Sequence, residues 1–375
     1  MEDAAQKNEK IESFLKSCVS QKLFPGSVYL IGENGRIIAQ GAVGHAVVEP
    51  VMIEMHRDTI FDVASLTKPL CTALLAVLLA GNRVFNLNDR IGKFLPVFRE
   101  GGKQDIAILH LLTHTSGFPR WLPLYLHGAD FESQLQYLAA QALRFRPGRR
   151  VLYGCPAYIV MSAIIRKIAG EGIDRLFREL VSVPLGLQGT GFNPPAGKRR
   201  RIAASEKGNR FERKLAGGEA KRYDGFREKM IWGSVHDHNS FALGGIGGNA
   251  GLFSNAKEMF KLSQEFMGTG KGILGGAERR LFHKNFTEGL NEGRSIGWQI
   301  ASTRGCSAGR YIPGSSIGHT GFTGASMWID TENMRTYILL TNRTHPVYRE
   351  FNMNAARRRF HRLASTLKER CSCIP

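Results

Sequence analysis

Strand-like patterns stand near both ends of this chain and a long helical stretch fills its middle, which few folds accommodate. Ser27–Gly32 and Arg36–Gly41 are joined by Glu33-Asn34-Gly35. Asn-Gly between two such runs is a strong hairpin signal. Strand patterns return after Gly293, at Ile296–Ala301, Ser326–Ile329 and Thr336–Thr341. Between these ends the pattern is helical. Pro69–Ala80 is a nearly continuous apolar helix stopping at Gly81, Asp130–Leu143 is another, and Pro156–Ala169 opens with proline in a first turn. Ile11–Leu23 has the spacing of an amphipathic opening helix, and Phe351–Leu367 reads as a closing one. The expectation is an α/β (α+β) fold in which both chain ends build one antiparallel sheet and the helical region is inserted. Residues 1–61 and 293–375 would form the two parts of an α/β domain, and 62–292 a mainly helical one. A chain of 375 residues with 43% hydrophobic content can bury a core of that size.

Several function classes recede on composition. The six cysteines, Cys18, Cys71, Cys155, Cys306, Cys371 and Cys373, are too few and scattered for a disulfide scaffold. Cys71 falls in an apolar helical pattern and is expected to be a packed thiol. His236/His238 and Cys371/Cys373 are the close ligand pairs, and nothing ties them together, so neither a metal nor another cofactor is expected. No apolar run reaches the ~18–20 residues of a spanning helix. Met1 to Lys10 lacks the basic start and apolar stretch of a signal peptide, so the chain as it stands reads as cytoplasmic; a trimmed leader would make it exported. The formal charge is +19, concentrated in Lys198–Lys229 and Arg343–Arg370, including Arg199-Arg200-Arg201 and Arg357-Arg358-Arg359. Such a balance suits anionic partners. Without a nucleic-acid-binding signature, the expectation is a solvated face and a basic terminal helix, with a small-molecule or peptide substrate as partner and oligomeric state open.

The chemistry centres on Ser65-Leu66-Thr67-Lys68. Serine and lysine three apart on a helix share a face, which brings the ammonium near the hydroxyl. At a helix start, the dipole and free N–H groups favour developing negative charge. A neighbouring cation or tyrosine then helps deprotonate the serine. The same spacing occurs at Ser13/Lys16, Ser254/Lys257 and Ser365/Lys368, but Ser65 alone precedes a long apolar helix. Gly314-Ser315-Ser316-Ile317-Gly318 matches a nucleophile elbow, which requires a strand before and a helix after; here Pro313 precedes and a strand pattern follows.

Downstream, Pro147-Gly148 leads into Tyr153-Gly154-Cys155, and later comes His319-Thr320-Gly321-Phe322. With Phe61-Asp62-Val63-Ala64, His110–Gly117, Val235-His236-Asp237, Leu243-Gly244-Gly245 and Gly248–Ser254, this ordered series resembles the serine β-lactamase and penicillin-binding protein superfamily. The branch it resembles holds class C β-lactamases, D-amino-acid-active peptidases and related esterases, and the likeness covers roughly Phe24 to Pro346. The resemblance implies a β-lactamase/transpeptidase-like fold and a Ser65 acyl-enzyme. It gives Lys68 and Tyr153 the acid and base roles, Tyr153 being suited to phenolate character beside cations. It makes the backbone N–H groups of Ser65 and Phe322 an oxyanion hole, with Gly321, and Gly324 in the same way, permitting close backbone approach. His114 and His236 look like loop-ordering residues. Two departures stand out. Cys155 occupies the place of an asparagine that donates to substrate. His319 replaces the lysine of the K-T-G triad, removing a permanent cation. Both argue against efficient β-lactam hydrolysis and leave acyl chemistry intact. The expected activity is therefore hydrolysis of an ester or D-amino-acid-type amide. The alternatives are a penicillin-binding D,D-peptidase with slow deacylation, and a non-catalytic basic binding protein on the same fold. Arg199, Arg200 and Arg201 are expected to flank substrate access.

Overall fold

The computed structural model describes residues 4–367. Within them the strands are β1 (Gly26–Glu33), β2 (Arg36–Val47), β3 (Ile53–Glu54), β4 (Phe61–Asp62), β5 (Gly191–Phe192), β6 (Leu252–Ser254), β7 (Gln299–Ile300), β8 (Ile317–Thr320), β9 (Ser326–Asp330) and β10 (Arg335–Thr341). Seven form one antiparallel sheet in the order β3-β2-β1-β10-β9-β8-β7. The two chain ends meet at its centre, where β1 pairs with β10 from Ser27 opposite Thr341 to Glu33 opposite Arg335. Asn34 and Gly35, both at positive φ, turn the β1–β2 hairpin.

Both faces of this sheet are covered, which is why its central strands are apolar runs with little alternation. Val28, Leu30, Ile338 and Leu340 point into the main core beneath the helical region. Tyr29, Ile31, Tyr337 and Leu339 point the other way, into a second core closed by the terminal helices Ala4–Ser20 and Met353–Ala364. Each such side chain, fully buried, contributes ~1.5–3 kcal/mol. The helix Pro156–Ala169 has the bounds its pattern predicts, with proline in the first turn and Gly170 left-handed at its end. Asp130 caps Phe131–Ala140 through the Ser133 N–H, and the chain turns extended at Gln141, short of the predicted end.

Three local readings need correction. The expected strand Ile296–Ala301 shrinks to β7, because Gly297 at φ +78° makes a tight turn there and the Ser295 N–H donates to the Trp298 carbonyl. Ile296 and Trp298 are buried from a turn, so their apolar alternation reports burial and not a strand. The helix after Ser65 is not uniform. A 3₁₀ turn (Ala64–Leu66) leads into a π-helical stretch (Lys68–Ala73) and then an α-helix (Leu74–Gly81). Pro69 has no N–H to continue the α ladder, and the wider turn accommodates that. The whole run Ala64–Gly81 is 18 residues with mean hydropathy 1.6, so by length and composition it does reach spanning size; 78% of it is buried inside the fold.

Cys71 is a packed thiol, fully buried in the main core. Ser316 is buried in a turn whose N–H donates to Pro313, with β8 following and no helix, so the elbow match fails structurally. Cys371, Cys373 and Lys368 lie outside the described residues.

Candidate active site

A small sheet in the order β4-β6-β5 sets the approach to Ser65. Asp62 leaves β4 fully buried, and its carboxylate accepts the Ala64 N–H at 2.8 Å and the His236 N–H at 2.7 Å. Burial pushes its carboxyl above the ordinary range, while the His236 and Ala64 N–H bonds pull the other way. Ala64 is thereby held at φ +48°, a left-handed conformation a non-glycine residue adopts only when its surroundings enforce it. Thr67 continues the buttress. Its hydroxyl donates to the Ala64 carbonyl at 2.6 Å and accepts the Leu252 N–H at 3.0 Å.

Ser65 and Lys68 meet as their spacing predicts. Lys68 Nζ lies 2.9 Å from Ser65 Oγ, donates to the Asn249 carbonyl at 2.9 Å and stands 3.8 Å from Cys155 Sγ. Burial opposes the ammonium, but the negative charge that Cys155 and Tyr153 can carry and a hydrogen bond with Tyr153 outweigh it and hold Lys68 above the ordinary lysine value. Tyr153 places its ring 5.2 Å from Lys68 Nζ, 4.6 Å from the His114 ring and 5.5 Å from the His319 ring. The Cys155 thiol is pushed up by burial and so is neutral near pH 7.

β8 brings the third element. His319, Thr320, Gly321 and Phe322 line the same cleft as Ser65, Tyr153 and Cys155, a cavity of ≈ 680 Å³. Gly321 lies so close to the chain before Ser65 that a Cβ there would stand 2.4 Å from the Val63 carbonyl oxygen. The Thr323 hydroxyl donates to the Asp62 carbonyl at 2.7 Å and locks the two segments together. Among the described residues, neither the Ser65 nor the Phe322 N–H donates to any protein acceptor. Gly324, at φ +117°, packs on Thr341.

His319 is buried at this end of the cleft. Burial, then Arg294 and Lys68, push it well below the ordinary histidine range, so it is neutral through mildly acidic pH. Its Nδ1–H donates to the Thr320 carbonyl at 2.9 Å, and Nε2 has no hydrogen-bond partner among the described residues. His114 is buried and likewise depressed, and its Nδ1 faces the Gly154 N–H at 3.4 Å. His236 bonds Glu206 at 3.1 Å.

The basic stretches do not behave as their composition suggests. Arg201 pairs with Asp58 at 2.7 Å and Arg199 stacks over Trp232 at 4.5 Å; neither they nor Arg200 line the cleft, which corrects their expected place at substrate access. Phe211, Glu212 and Leu215 of the helix Arg210–Ala216 border it instead. The arginines that do line it are Arg120, Arg294, Arg304, Arg343 and Arg357, which carry no motif or sit in stretches whose composition suggests surface charge. Arg357, from the basic terminal helix, is buried and donates to the carbonyls of Gly321 at 3.1 Å and Ala325 at 3.0 Å. Burial, with Arg343 nearby, lowers its pKa to about 9. Asp62 and Asn249 stand within the motif series, yet nothing local marks their roles.

Fold and cleft together define a mixed α/β hydrolase-like protein built around a serine–lysine pair. Comparison with known proteins is specific: residues 11–361 match the model of the Beta-lactamase family, and the chain belongs to that family. An Escherichia coli (strain K12) protein described as "Putative D-alanyl-D-alanine carboxypeptidase" is 29% identical over 354 residues, covering 86% of this chain and 79% of that one. Among solved structures, "EstCE1, a hydrolase with promiscuous acyltransferase activity" aligns with TM-score 0.74 at 22% identity, covering 96% of this chain and 98% of that one. A structure titled "A class C beta-lactamase" aligns with TM-score 0.76 at 16% identity, covering 98% of each chain. The fold is the β-lactamase/transpeptidase one, and a hydrolase function of this family is supported.

Proposed function

We propose that this protein is a serine hydrolase acting through a Ser65 acyl-enzyme on an ester or a D-amino-acid-type amide. The observation that carries the reading is the 2.9 Å contact of Lys68 Nζ with Ser65 Oγ, at the floor of a cleft shared with Tyr153 and the β8 end. Lys68, an ammonium, steadies the serine oxygen. Tyr153 in its phenolate form takes the serine proton as the Oγ–carbon bond forms and the carbonyl pair moves onto oxygen. The Ser65 and Phe322 N–H groups receive that oxyanion. Tyr153 then returns the proton to the leaving group as its bond to carbon breaks, and water repeats the sequence to release the acid.

The neutral thiol of Cys155 and the neutral imidazole of His319 stand where an amide donor and a permanent cation would meet a β-lactam. The loss of those two contacts favours ester over β-lactam turnover, although arginines line the rest of the cleft. A penicillin-binding D,D-peptidase is the second reading, favoured by the description of the Escherichia coli relative. Intact-protein mass after exposure to a fluorophosphonate and, separately, to a penicillin separates them, with Ser65→Ala as control. Fluorophosphonate labelling lost in the variant supports the acyl-enzyme. A lasting penicillin adduct on Ser65 moves the reading to the peptidase. A wild type that neither reagent labels refutes both. Nitrocefin turnover matching that of p-nitrophenyl esters would overturn the substrate preference.

A further inference from the structure

Arg294 stands out among the charged groups of the cleft wall. It sits on the turn before β7 and is 5% exposed, and its guanidinium carbon lies 5.3 Å from the centroid of the Tyr153 ring. One nitrogen, Nη2, pairs with the Glu292 carboxylate. Nε and Nη1 are buried with no hydrogen-bond partner among the described residues. A buried guanidinium with two idle donors is costly to keep unless its charge serves the groups around it. Glu292 is itself shared, since it also accepts from Gln299 Nε2 at 2.6 Å.

We propose that Arg294 is a positioning residue for catalysis that acts through Tyr153, its positive charge stabilising the phenolate oxygen that exchanges a proton with Ser65. The inference rests on the acyl-enzyme reading above and adds the source of the electrostatic field on its base. Among the other groups facing Tyr153, Lys68 alone carries a positive charge. His114 and His319 pack against the ring but are held neutral by burial and by Arg294 itself. Tyr158 and Cys155 are neutral too, raised by burial. Lys68 is the second cation; it hydrogen-bonds Tyr153 as well, but it divides its ammonium among Tyr153, Ser65 and the Asn249 carbonyl. Asp237 adds negative charge near Lys68 and makes a positive partner for Tyr153 more necessary. A unit charge within a few ångströms of a titrating oxygen, partly offset by a carboxylate, shifts its proton equilibrium by about tenfold.

The test is the pH profile of kcat/KM for a neutral p-nitrophenyl ester in wild type, Arg294→Met, Arg294→Lys and Ser65→Ala. Arg294→Met should lower kcat by about tenfold with KM within about twofold, and move the acid limb up by about one pH unit. Arg294→Lys should restore most of both. Because Arg294→Met strands Glu292, the pair Arg294→Met/Glu292→Gln keeps the question open to refutation if the single variant fails to fold; it should show the same limb shift. An unshifted limb, with kcat falling only as thermal stability falls, overturns the proposal in favour of scaffolding. A rise in KM confined to a carboxylate-bearing ester also overturns it, in favour of a substrate-anion anchor. Turnover that survives Ser65→Ala overturns the acyl-enzyme reading and this inference together. Turnover abolished by Ser65→Ala but unchanged by Arg294→Met overturns this inference alone.

Discussion

Replacing Gly321 with alanine inserts one methyl group where the chain ahead of Ser65 and the chain after β8 nearly touch. The added Cβ would stand 2.4 Å from the Val63 carbonyl oxygen, 3.2 Å from the Val63 carbonyl carbon and 3.3 Å from Ala325 Cβ. Real Cβ contacts essentially never fall under 3.0 Å, so the segments must part by at least 0.6 Å. Backbone φ at Gly321 is not positive, so the effect is purely one of space. Neither side yields freely: Thr323 ties the loop to Asp62, and Arg357 holds the Gly321 and Ala325 carbonyls from behind. The displacement therefore falls on the gap between the Ser65 and Phe322 N–H groups. An oxyanion donor is worth about 3–4 kcal/mol, and misplacement near 1 Å costs roughly a hundredfold. Gly321→Ala should accordingly lower kcat on a p-nitrophenyl ester by about 10²-fold, with a stability loss of ~1–3 kcal/mol. Steady-state kinetics with a parallel thermal melt reads both. A folded Gly321→Ala variant whose kcat stays within about threefold of wild type would refute the reasoning, because the oxyanion site would then not depend on this approach.

Asp62→Asn keeps the shape but offers one oxygen to two N–H groups, leaving either Ala64 or His236 unpaired. It should destabilise the fold by ~1–3 kcal/mol and lower kcat by about tenfold or more as Ala64 relaxes; a neutral result in melts and kinetics would show that Asp62 does not hold the serine turn. Thr67→Val removes the bond to the Ala64 carbonyl and the acceptor of the Leu252 N–H, and should cost ~2–4 kcal/mol in urea unfolding. His361 is fully buried, and burial lowers its pKa to about 4 despite bonds to Ser307 and Ala308. Its folded value lies below its unfolded one of about 6.5, so the unfolded chain binds the proton first. Stability is fully present above pH ~6.5 and is lost as pH falls toward 4, at about 1.4 kcal/mol per pH unit. Urea midpoints at pH 7.5, 6 and 5 should fall less steeply in His361→Asn, and identical slopes would contradict the assignment.

Elements set by local chemistry are legible in the amino-acid sequence alone. The Asn34-Gly35 hairpin, the helix Pro156–Ala169 and the pairing of Ser65 with Lys68 depend on φ preferences, capping and three-residue spacing, all written within a few positions of the chain. The seven-stranded sheet is legible in outline, because apolar runs at both ends have no other partner to pair with. Tertiary structure decided what depends on distant neighbours. Arg357, Arg358 and Arg359 are identical letters in one run, yet Arg357 alone of the three is buried, set by the carbonyls of Gly321 and Ala325. Asp62 holds Ala64 only because His236, far along the chain, completes its coordination. Ile296 and Trp298 alternate like a strand and are buried in a turn. Arg294 reads as one more surface cation in a chain of charge +19 until the fold seals it beside Tyr153. Whether a charged side chain is solvated or buried is fixed by which groups the fold brings to it, and local sequence carries no record of those groups.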